Sequence, residues 1–131
     1  MAFCEEVDKL SAEIESCEQV ALALGSETRL HLIKSMIAEH QYNGLRVEEI
    51  AASTNLSRPA VSHHLQILKR AGIVKVRHEG TKNFYYFDVD DEPFDSFIHM
   101  LVHARALMKA LPDRSAPCPS KECPAENPSA Q

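Results

Sequence analysis

"LSRPAVSHHLQILKRAGIV", residues 56–74, reads as one helix with a turn ahead of it and a stop behind it. Ser57 is placed to cap the helix, Pro59 falls in the first turn where its missing N–H costs nothing, and Gly72 closes it. With Arg58 at the origin and an advance of about 100° per residue, Arg58, Ser62, His63, Gln66, Lys69 and Arg70 fall within about 140° of one another. Ala60, Val61, His64, Leu65, Ile67 and Leu68 occupy the opposite side. One side is core, and the other consists of hydrogen-bonding groups without a carboxylate. A merely solvated face would mix Glu with Lys to gain i,i+4 pairs. A face lacking acid suits a polyanion: Arg pairs bidentately with guanine and Gln with adenine, while Ser and Lys serve bases or phosphates. His63 belongs to that face, whereas its neighbour His64 reads as a hydrogen-bonded core residue.

The flanking sequence extends this reading in both directions. A short helix over 47–54, "VEEIAAST", precedes the turn at Asn55-Leu56, so the local architecture is helix, tight turn, helix. After Gly72, "IVKVRHEGTKNFYYFDV" contains two β-rich runs, 73–78 and 82–88, joined by Glu79-Gly80-Thr81 as a hairpin. Lys75, Arg77 and Lys82 flank its tip, where they suit either a DNA backbone contact or the protection of an edge strand. Upstream, Val7, Leu10, Ile14, Cys17, Ala21 and Leu24 predict one amphipathic helix over 5–24, ended by Gly25. Ser26 caps a second helix, 26–40, with Leu30, His31, Ile33 and Ile37 facing inward, and Asn43-Gly44 makes a turn. A final helix runs from its cap at Asp91 to about 111, with a broad apolar face of Phe94, Phe97, Ile98, Leu101, Ala104, Met108 and Leu111. The expectation is a mainly α fold with a β-hairpin (α+β), one domain over 1–111, and a flexible Pro-rich tail over 112–131 that carries a Cys pair.

Bulk properties agree with a single domain of 131 residues with an aliphatic core: 44% hydrophobic, 6% aromatic and no Trp, which argues against a receptor built on aromatic stacking. Net charge is −5, yet residues 57–82 alone carry +5, so a positive patch sits on an acidic body and would orient a polyanion. No apolar stretch nears the roughly 20 residues needed to span a bilayer, and the N-terminus "MAFCEEVDKL" is acidic where a secretory signal would be basic. A cytoplasmic protein without membrane association is expected, in which four cysteines do not form a disulfide framework. The sequence holds no Gly-rich phosphate loop, nucleophile elbow or paired-carboxylate cleft, so an enzyme is not expected.

"LALGSETRLHLIKSM", residues 22–36, followed by "EEIAASTNLSRPAVSHHLQILKRAGIVKVRHEGTKNFYYF", residues 48–87, resembles the winged helix-turn-helix of the ArsR/SmtB family of prokaryotic repressors. The resemblance covers about residues 20–88 and implies a homodimer joined through its first and last helices. It further implies repression of a double-stranded DNA operator with two-fold symmetry, relieved by an effector, the two recognition helices meeting successive major grooves. On this reading Ser57, Arg58, Ser62, His63, Gln66, Lys69 and Arg70 of the helix, with Lys75, Arg77 and Lys82 of the wing, contact DNA. The competing reading is a winged-helix module for protein docking that binds no operator.

The effector is open. Many arsenic, cadmium and lead sensors of the family carry Cys-Val-Cys before the recognition helix, where this chain has Arg46-Val47-Glu48, so that thiolate site is absent. The family's zinc sensors place Asp-x-His and His-x-x-His or His-x-x-Glu pairs on the last helix. Here Asp95, His99 and His103 stand at i,i+4 steps instead, a spacing that suits Zn²⁺ or another transition metal completed by a partner-chain ligand, and equally suits ordinary surface histidines. No metal is needed for the fold. Cys118 and Cys123, spaced C-x4-C, offer a reversible disulfide or a thiol-reactive site shared with Cys4 or Cys17, although Cys17 also reads as a small core residue.

Overall fold

The computed structural model describes residues 2–115. Six helices and one hairpin follow in order: α1 (Ala2–Ser16), α2 (Glu18–Leu24), α3 (Glu27–Ala38), α4 (Val47–Thr54), α5 (Arg58–Arg70), β1 (Val74–Glu79), β2 (Lys82–Phe87) and α6 (Asp91–Ala110). This is a helical winged helix-turn-helix with a β-hairpin wing.

The core gathers Ala23 of α2, Leu32 and Met36 of α3, Ile50 of α4, the inner face of α5 (Val61, Leu65, Leu68), and Ile73, Val74 and Tyr85 of the wing. Burial of this apolar surface is the main force holding the helix-turn-helix together. Leu45 extends the wing, exchanging 2.8 Å backbone hydrogen bonds with Tyr85 in both directions, so the wing is tied to the chain just ahead of α4. Gly44 permits this crossing, because a Cβ there would lie 2.8 Å from Phe84 Cβ at a φ of +127°.

Local capping sets both ends of α5. Ser57 Oγ accepts from the Ala60 N–H at 3.2 Å. At the other end Ile73 N donates to Leu68 O and Gly72 N to Lys69 O, each at 3.0 Å, a Schellman arrangement with Gly72 at φ +80°. A Cβ on Gly72 would come within 2.7 Å of Asp90 Oδ2, and Asp90 N donates to Gly72 O at 2.8 Å. The end of α5 and the start of α6 therefore meet at one backbone contact.

Three expectations are corrected. The single helix over 5–24 is two, broken at Cys17 (φ −113°, ψ 14°): α1 packs on α6, while α2 turns to meet α5 and α3 and keeps contact with α6. In α3 the buried residues are Leu32 and Met36, whereas Leu30, His31 and Ile37 are exposed. The cap of α6 is Asp90, not Asp91, and it makes no side-chain cap bond, since its carboxylate pairs with Lys75 at 3.2 Å.

Candidate nucleic-acid interface

Exposure on α5 follows the division of its faces. Val61, Leu65 and Leu68 are buried, while Arg58, His63, Gln66, Lys69 and Arg70 are exposed and Ser62 is half-buried. No acid lies in its first turn, and Lys69 and Arg70 stand in its last, where cations favour the helix dipole. His64 turns inward to Arg29, its Nδ1 3.4 Å from the guanidinium. Burial, then the Arg29 charge, holds His64 below the ordinary histidine pKa, leaving a neutral ring that accepts at Nδ1. Arg29 meanwhile donates to Ala23 O at 2.7 Å and Leu22 O at 2.9 Å, fastening the end of α2 beside α5.

The cations differ in what they are free to do. Arg58 donates to Glu48 Oε1 at 2.7 Å. In the wing, Lys75 bonds Asp88 at 3.3 Å and Asp90 at 3.2 Å, and hydrogen bonding to Asp90 first, then Asp88, raises its pKa. Arg77 donates to Asn43 O at 2.6 Å and Glu79 at 2.9 Å, and lies over the Phe84 ring. Lys75 and Arg77 thus stiffen the wing and tie it to its neighbours. Lys69, Arg70 and Lys82 have no ion pair among the described residues, and Lys82 stands exposed at the hairpin turn opposite Glu79.

A groove of about 380 Å³ opens between the start of α4, the start of α5 and the wing, lined by Arg46, Glu48, Arg58, Ser62, Thr81 and Asn83 among others. Four of these, Arg46, Glu48, Thr81 and Asn83, were not among the DNA contacts expected from sequence. Only Arg46 and Glu48 carried a signal, their charge. Glu48 sits in the first turn of α4 and is held below the usual carboxylate range, first by its own backbone N–H, then by Arg46 and Arg58.

The ionisable residues of α6 are arranged differently from a metal triad. His103 lies between two carboxylates of α1, with Nδ1 2.5 Å from Glu13 Oε1 and Nε2 2.6 Å from Glu6 Oε2, and His99 approaches Glu13 at 3.3 Å. Asp95 is exposed and joins neither contact. Among the described residues no group of three or more His, Cys, Asp or Glu is disposed to hold a metal ion. Cys4 is exposed; Cys17 is buried with its thiol 3.6 Å from Ile14 O, in a packing position. Cys118 and Cys123 lie outside the described residues.

Hydrogen bonding to Glu13, then Glu6, raises the His103 pKa above its ordinary value. The folded protein then holds a proton at pH values where the unfolded chain, titrating near 6.5, has released it. The clamp's stabilisation is complete below about pH 6.5 and is lost as pH rises through the folded-state value. The expected result is a gap in thermal stability between wild type and His103→Gln that narrows on going from about pH 6 to pH 9. A gap constant over that range, or an NMR titration placing His103 at or below its ordinary value, would contradict it.

The family model for bacterial regulatory proteins of the arsR family matches residues 26–76. An uncharacterized HTH-type transcriptional regulator of Methanocaldococcus jannaschii is 46% identical over 77 residues, which are 59% of this chain and 82% of that protein. A transcriptional repressor SmtB homolog of Synechocystis sp. is 30% identical over 109 residues, 79% of each chain. Among solved structures, the homodimeric winged helix-turn-helix DNA-binding domain of a possible ArsR-family regulator from Mycobacterium bovis superposes with a TM-score of 0.51 at 25% identity, covering 82% of this chain and 95% of that one. No helix among the described residues is long and apolar enough to cross a membrane. With the recognition helix, the wing and these relatives in agreement, the chain belongs to the ArsR family of DNA-binding transcriptional regulators, a family of regulators and not of enzymes.

Proposed function

We propose that the protein acts as a homodimer that reads a two-fold-symmetric operator through α5 and represses transcription until an effector releases it. The observation that carries this reading is the exposed, carboxylate-free face of α5, with Arg58 at its start and Gln66, Lys69 and Arg70 making no side-chain hydrogen bond or ion pair among the described residues. Residues 1–111 supply the DNA-binding and dimerisation unit. Dimerisation is supported by the apolar faces left on α1 and α6 and by the homodimeric M. bovis neighbour.

The test is a fluorescence anisotropy titration on the duplex upstream of the protein's own gene and on random duplex, over a range of salt. Gln66→Ala is expected to cost about 1–3 kcal/mol on the operator and to relax base preference, while Lys82→Ala weakens all sequences alike and flattens the salt slope by about one unit. Equal losses for Gln66→Ala on both duplexes would remove base readout from α5. A salt slope near zero would favour a protein-docking module. Repeating the titration with zinc separates the effectors. Release by zinc that is lost in Asp95→Ala, His99→Ala and His103→Ala would place the switch on α6, whereas indifference to zinc directs the search to thiol-reactive effectors at Cys4, Cys17, Cys118 and Cys123.

A further inference from the structure

Glu48, in the first turn of α4, brings a carboxylate up to the carboxylate-free face of α5. Its Oε1 receives Arg58 NH2 at 2.7 Å, and its Oε2 lies 3.5 Å from Arg46 Nε. The Arg58 side chain is 67% exposed and that of Glu48 42%, a setting in which an ion pair adds little to folding. A carboxylate at the mouth of a DNA groove also repels phosphate, so its presence weakens general DNA affinity. What the contact does accomplish is geometric. It joins the first turn of α4 to the first residue of α5 and fixes one edge of a long, flexible cation at the rim of the groove also lined by Ser62, Thr81 and Asn83. A guanidinium carries five N–H donors, and Glu48 occupies NH2 alone, which leaves donors in fixed directions for a base edge.

We propose that Glu48 is a positioning residue for operator readout, holding the Arg58 guanidinium at the start of α5 so that it selects one base pair. This deepens the reading of α5 as the DNA-reading helix and rests on it. Arg46, on the far oxygen, steadies the carboxylate. An Arg already held in place loses less side-chain freedom on contacting guanine O6 and N7 than a free one, and it is denied the alternative rotamers that would reach other bases.

The experiment selects a preferred duplex from a randomised pool with wild-type protein. Wild type, Glu48→Gln, Glu48→Asp, Arg58→Ala and the Glu48→Gln/Arg58→Ala double variant are then titrated on that duplex, on each of its single-base-pair variants and on random duplex. Glu48→Gln is expected to bind random duplex more tightly, through loss of a negative charge, while the ratio of selected to random affinity falls about ten-fold. The lost preference falls at the same base pair that Arg58→Ala relaxes, and the double variant loses no more there than Arg58→Ala alone. Glu48→Asp, which keeps the charge and shortens the reach, relaxes the same base pair with random-duplex affinity unchanged. Unaltered base preference in Glu48→Gln, with both duplexes shifted by one factor, would overturn the proposal and leave Glu48 a mere charge. If Arg58→Ala itself keeps the wild-type preference at every base pair, readout by Arg58 fails first and the role of Glu48 falls with it.

Discussion

Leu101→Glu is expected to yield a monomer that binds operator about 10²–10⁴-fold more weakly than wild type. The reason lies in α6, which is 20 residues long and has no buried residue. Its Ile98, Leu101, Val102 and Met108 are each more than half exposed and fall within about 120° of the helix circumference. Phe3, Val7 and Ile14 make a matching stripe on α1, within about 40°. Apolar surface this continuous calls for a cover, and a second copy of α1 and α6 supplies one of the same chemistry. A carboxylate placed in that seam would be buried without a partner, which opposes association strongly. Each monomer then holds one half-site only, and the gain from linked binding disappears. Light scattering gives the mass and anisotropy the affinity; a dimer of wild-type affinity would remove this face from the interface.

Leu65→Ala is expected to destabilise the fold by about 2–5 kcal/mol, read as a lower urea midpoint at unchanged slope. Leu65 is fully buried on the inner face of α5, and its removal leaves a cavity between the recognition helix and the rest of the core. His63→Ala, two residues earlier on the exposed face, changes stability by no more than about 0.5 kcal/mol. Comparable losses at the two positions would mean that α5 is not anchored through this face.

What could be read in the sequence and what could not divide along a physical line. The bounds of α5 were readable because its signals are local and agree: a serine cap, a proline in the first turn, a two-faced pattern and a closing glycine. The break at Cys17 carries no Gly or Pro, and the apolar spacing runs straight through it; it is marked only by tertiary contacts, α2 turning to α5 and α3 while sharing α6 with α1. Likewise, apolar residues at 30, 32, 33, 36 and 37 give α3 two overlapping stripes, and only the packing of α2 and α4 selects Leu32 and Met36 for burial. In the candidate interface the residue types on α5 were legible, whereas the engagement of Arg58, Lys75 and Arg77 was not. Their partners lie up to 34 residues away, with no periodicity linking them. His103 is the extreme case, since Glu13 lies 90 residues upstream.

The contact between Gly72 and Asp90 has a mechanical consequence. It pins the end of α5 to one end of a rod about 30 Å long, α6, whose far end lies in the proposed seam between subunits. A tilt of about 5° at that pivot sweeps the rod's tip through roughly 2.6 Å, about three-quarters of the ~3.4 Å rise of one base pair. In the homodimer we propose, the separation of the two α5 helices is therefore geared to the pitch of α6, and a small turn at Gly72 is enough to change it.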